Sequence, residues 1–109
     1  MARVSIGAFR ARLVLETPVE TTDNAGGVTR NWTQAASLWG DVATLSALQR
    51  QEAQQLGQTL THRVTVRWRS PLDTSMRFKK GARVFAIRGV YDPEDRTRLL
   101  VCLCEEMRS

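Results

Sequence analysis

The chain has 109 residues, 42% hydrophobic and 25% charged, with 7 glycines and 3 prolines. That composition excludes a mainly disordered or collagen-like chain. It fits one domain over residues 1–109 with a core hiding roughly 65% of the unfolded surface. Lys and Arg number 16 against 11 Asp and Glu, a net charge of +5, and 14 of the cations are arginine. Arginine pairs flat against carboxylate and phosphate, which keeps acidic protein neighbours and nucleic acid both open as partners.

Met1 to Gly7 holds no apolar run of the signal-peptide kind, and no window approaches the roughly 18 apolar residues of a membrane span. The chain is therefore expected to be made in the cytosol, with no membrane partner. The sequon Asn31-Trp32-Thr33 carries no weight there.

In chain order, the first element is a strand over Arg12–Glu16, with Leu13 and Leu15 on one face and Arg12 and Glu16 on the other, closed by Pro18. Glu20 to Gly27 is polar and ends in two glycines, the chemistry of a loop or hairpin tip. Strands follow at Val28–Trp32 and Leu38–Leu45. Ser46 and Gln49 form a capping-box pair, and Gly57 supplies a stop, which predicts one helix over about residues 46–57. Leu45, Leu48, Ala53 and Leu56 make its narrow apolar stripe. His62–Arg69 alternates most cleanly, with Val64, Val66 and Trp68 opposed to Arg63, Thr65, Arg67 and Arg69. A short turn is expected at Asp73–Phe78, then strands at Arg83–Tyr91 and Leu99–Glu105.

The fold class is thus mainly β, a small six-stranded barrel or sandwich with one inserted helix. The last two strands are apolar on both faces. Val84, Ala86 and Val90 oppose Phe85, Ile87 and Tyr91, while Leu99, Val101 and Leu103 oppose Leu100, Cys102 and Cys104. Such strands are buried twice over, with the helix or another subunit as the second cover.

No catalytic constellation stands out. His62 is the single histidine and has no motif around it, so it reads as structural. Asp92-Pro93-Glu94-Asp95 lies between two strands and reads as a turn rather than a metal loop. Cys102 and Cys104, two apart on one strand face, are expected to be buried unpaired thiols and make no zinc set with one histidine. Gly26-Gly27 lacks the lysine and helix of a phosphate loop. No enzyme activity, cofactor or metal is expected. The binding candidates are basic: Arg63, Arg67 and Arg69, followed by Arg77, Lys79, Lys80 and Arg83, read as one face able to track a phosphate backbone or an acidic neighbour. Trp68 points away from these arginines on an ideal strand, which leaves the face without an aromatic platform.

Several motifs in order resemble the head–tail joining family of tailed bacteriophages, the head-completion or stopper proteins also found in prophages and gene transfer agents. They are Ile6-Gly7-Ala8-Phe9-Arg10-Ala11-Arg12-Leu13, Asp23 with Gly26-Gly27 and Trp32, Leu38-Trp39-Gly40-Asp41-Val42, and Thr61 to Arg69. Met76-Arg77-Phe78, Arg83 to Ile87, Val90 to Pro93 and Leu99 to Glu105 complete the set. The chain departs from the family in its glutamine-rich helix and in Gly40, where alanine is common. The resemblance implies a structural ring protein, typically a hexamer, between the portal and adaptor on the head side and the tail terminator on the other. It would retain packaged double-stranded DNA and dock the tail, in a particle assembled in the bacterial cytoplasm. By the same resemblance the segment Thr22, Asp23, Asn24, Ala25, Gly26 and Gly27 would reach toward the channel as a gate that swings. Arg63, Arg67, Arg69, Arg77, Lys79 and Lys80 would face neighbours or DNA. The alternative is a small basic barrel that binds nucleic acid non-specifically on its own.

Overall fold

The computed structural model describes residues 9–107; the opening residues, including Ile6-Gly7-Ala8 of the first motif, lie outside the described residues. The elements are β1 (Ala11–Thr22), β2 (Val28–Thr44), α1 (Ala47–Gln55), β3 (His62–Arg67), β4 (Arg77–Lys80), β5 (Arg83–Tyr91) and β6 (Leu99–Met107). The strands pair antiparallel and close into a barrel in the order β1-β2-β3-β6-β5-β4. Closure resolves the choice between barrel and sandwich.

The core follows from alternation. Leu13 and Leu15 of β1, Val64 and Val66 of β3, and Phe78 of β4 turn inward. They meet Phe85 and Ile87 of β5 and Leu100, Cys102 and Cys104 of β6. Burial pushes the Cys102 thiol far up and the Cys104 thiol up to about 12, so both sulfurs are neutral core atoms. The capping box forms as expected: Ser46 Oγ accepts from the Gln49 amide and Gln49 Oε1 accepts from the Ser46 amide. Gly57 follows the helix at φ +77°, a value that a side chain would strain. Beneath α1, Leu45, Ala53 and Leu60 pack with Leu103, so the helix covers part of the outer face of β6.

Three expectations are corrected. The strands expected at Val28–Trp32 and Leu38–Leu45 are one strand, β2. Its middle, Thr33 to Ser37, pairs with β1 without burying a regular apolar face, and Ala35 is the extra residue of a bulge. The turn expected through Phe78 ends earlier: Met76 N–H donates to the Asp73 carbonyl, and Arg77–Lys80 is a strand. A four-residue strand with a single inward side chain leaves no readable period. Finally, a bulge at Arg88 changes the parity of β5, so Val90 packs against the core with Phe85 and Ile87 while Tyr91 faces outward.

Gly40 sits where β2 crosses closest to its neighbours. A Cβ there would stand 2.8 Å from Leu13 Cδ1 and 2.9 Å from the Thr65 carbonyl oxygen. Gly40→Ala should therefore lower unfolding stability by about 1–3 kcal/mol through overpacking, measured by urea denaturation. An unchanged midpoint would show that the two strands separate freely at this point.

Candidate functional site

Two surfaces stand apart from the barrel. The first is a ribbon. β1 meets β4 only at Val14–Glu16, and β2 meets β3 only at Gly40–Thr44. Thr17–Thr22 and Val28–Thr33 therefore pair with each other alone, which carries the hairpin about 20 Å beyond the barrel. Every residue from Val19 to Asn31 is exposed. Along the arms Arg30 pairs with Glu20 at 3.0 Å.

The ribbon's tip is a pinned turn rather than a long loop. Asp23 Oδ1 accepts from the Ala25 and Gly27 amides at 2.9 and 2.7 Å, and the Asp23 amide donates to the Gly27 carbonyl at 2.9 Å. Thr22 already pairs with Val28. Of the six tip residues singled out by resemblance, Asp23 thus organises the turn.

The basic residues do not make one face. In the ring of strands β3 and β4 stand opposite each other, which separates Arg63, Arg67 and Arg69 from Arg77, Lys79 and Lys80. Arg77 is also engaged: it donates to Glu16 at 2.7 Å and lies 4.1 Å over the Trp32 ring. Arg83 and Arg88 on β5 likewise bond to Glu106 and Glu105 on β6. Lys80 shares a shallow concavity with Arg10, Arg12 and Asp41.

The second surface escaped sequence reasoning. β3 ends at Arg67, so Trp68 leaves the strand and its alternation no longer applies. Phe9, Arg10, Leu38, Trp39, Arg67, Trp68 and Arg69 line one open pocket of about 790 Å³. Trp39 is 52% and Trp68 43% exposed, large values for the side chain that gains most from burial. Arg12 lies 5.5 Å over the Trp39 ring. Arg10, Arg67 and Arg69 meet no carboxylate among the described residues, and Arg69 Nε is buried without a hydrogen-bond partner. The readable signal was the tripeptide Arg67-Trp68-Arg69 at a strand end.

His62 is held by the fold. Its ring stands edge-on to Phe85 with centroids 5.0 Å apart. Nδ1 lies 2.8 Å from Thr61 Oγ1 and Nε2 3.4 Å from the Arg83 guanidinium; because a guanidinium can only donate, Nε2 is assigned as acceptor and Nδ1 as the protonated nitrogen of a neutral imidazole. Burial holds its pKa below the ordinary 6.5, against the pull of the Glu106 carboxylate and with the help of Arg83 and Arg50. In the loop before β6, Asp92 accepts from the amides of Glu94 and Thr97, and Arg98 is bonded to Glu94, as a turn requires. Among the described residues no three His, Cys, Asp or Glu side chains gather as a metal site.

A small closed barrel with a bare ribbon and an aromatic, arginine-rimmed pocket is a protein built around its contact surfaces. A family model for phage head completion proteins matches residues 4–107. The chain belongs to the phage head completion family, structural proteins of the virion. Protein SF1141 from Shigella flexneri 2a, solved in solution, superposes with a TM-score of 0.72 at 28% identity, covering 94% of this chain and 96% of that one. A chain in the virion of a native gene transfer agent particle superposes with a TM-score of 0.60 at 25% identity, covering 88% and 93%. A search of curated protein sequences finds no match.

Asp23→Ala should speed hydrogen exchange at the Ala25 and Gly27 amides while moving global stability by less than about 0.5 kcal/mol, since the tip buries nothing. Loss of the whole fold would instead make the tip a folding element. For His62 the unfolded chain takes the proton more readily than the folded one. Its contribution is therefore complete above pH 6.5 and is lost as pH falls below that value. Denaturation followed from about pH 7.5 to about 5.5 should show this loss, and His62→Gln should flatten it.

Proposed function

We propose that this chain, as one domain, is the stopper subunit of a ring between the portal and adaptor on one side and the tail terminator on the other. The ring, six copies by family resemblance, holds packaged double-stranded DNA until the tail docks. The observation that carries this reading is the ribbon. A chain of this size spends 12 residues of β1 and 17 of β2 on a hairpin whose outer part, Val19 to Asn31, is exposed throughout. Such an element gains its worth only from what it meets outside the subunit. With Asp23-Asn24-Ala25-Gly26-Gly27 toward the channel, the ribbons of a ring narrow the bore sterically, and no chemical step is needed.

A second reading, nucleic-acid binding by the isolated chain, draws on the meeting of tryptophans and arginines at one pocket. It requires a monomer whose affinity for free DNA falls steeply with salt.

Removal of Asn24–Gly27 separates the readings in assembled particles. Filled heads carrying the shortened protein should leak DNA before tail attachment, while tails still join those heads that remain filled. Unchanged DNA retention would overturn the gate.

A further inference from the structure

Helix α1 leaves a third unpartnered surface, at the end of β2 and β3 away from the pocket. Leu48 and Glu52 are spaced by four on one flank of the helix, and Leu56, the residue that caps its C-terminal end, follows at the same spacing. Leu48 is 65% and Leu56 80% exposed, and Glu52 between them makes no ion pair among the described residues. The flank is apolar–acidic–apolar. The pocket of Trp39 and Trp68 is its complement, with an aromatic floor and a rim of Arg10, Arg67 and Arg69. The two cannot meet within one copy. α1 joins Thr44 to His62, whereas the pocket lies beyond the Gly40–Val66 pairing, about 15–20 Å away along the strands.

We propose that the Leu48–Glu52–Leu56 flank of one copy seats in the Trp39–Trp68 pocket of the next. The two leucines cover the indole faces, and Glu52 meets the arginine rim. Tryptophan and arginine are the residues that dominate contacts of this kind when water is excluded, and the guanidinium fork matches a carboxylate. Residues 1–8 contain Arg3 and no acid, so that segment offers the arginine rim no carboxylate. Because flank and pocket are different patches, the contact is head-to-tail and repeats from copy to copy until it closes. The proposal rests on the ring reading and names the contact that builds it.

Charge reversal tests it. Glu52→Arg and Arg67→Glu should each lower the association constant about tenfold or more in sedimentation, and the two together should restore most of it. Leu56→Cys with Arg10→Cys should give a covalent ladder with a short bismaleimide, since Cys102 and Cys104 are buried. Neither single cysteine variant should give the ladder. Rings that form with no ladder and no response to charge reversal overturn this contact and leave the ring reading standing. Absence of any oligomer, free or in particles, overturns both. If Arg67→Glu abolishes quenching of the tryptophans by oligothymidine while assembly is unchanged, the pocket serves nucleic acid and the proposal fails.

Discussion

The barrel depends on one short seam. β1 is paired with β2 along its whole length but reaches β4 at only three positions, Val14, Leu15 and Glu16. Without them the sheet would open, leaving the inner backbone edges of β1 and β4 without partners. What holds the seam is mixed in kind. Leu15 and Phe78 meet inside it, fully buried, while outside it Glu16 and Arg77 form a largely covered ion pair capped by the Trp32 ring. Trp32 comes from the ribbon, so the same clasp fixes the angle at which the hairpin leaves the barrel. Core, closure and projection are thus set at one place.

Much of this was readable from residue pattern, and the failures have physical causes. Helix α1 was legible because its cap is local: Ser46 and Gln49 carry the whole signal. β3 was legible because each side chain alternates. β2 was not, since Thr33 to Ser37 is held by cross-strand hydrogen bonds that leave no apolar trace. β4 was missed because closure needs only Phe78 inward, and one residue has no period. The parity change at Arg88 is invisible in sequence, yet it decides whether Val90 or Tyr91 faces solvent. The tip turn was visible in Asp23 and Gly26-Gly27, but not the extent to which Asp23 fastens it. The pocket failed for a different reason: the alternation of His62–Arg69 runs two residues past the end of β3 at Arg67, and Trp68 lies in that overrun.

The basic balance acquires structure in the same way. Arg77, Arg83, Arg88 and Arg98 are committed to Glu16, Glu106, Glu105 and Glu94, three of them across adjacent strands. These pairs lace the barrel together. Three of the cations outside these pairs, Arg10, Arg67 and Arg69, gather beside exposed tryptophans. Positive charge placed next to uncovered indole rings suits contact with an acidic partner.

The bare ribbon has an evolutionary consequence. From Val19 to Asn31 no side chain contributes to the core, so changes there are nearly free of folding cost provided the Asp23 turn survives. The barrel's sequence is held by packing, whereas the ribbon's is answerable only to whatever it touches. Mutations that retune contact with a different neighbour can accumulate along those residues one at a time, without passing through an unstable subunit.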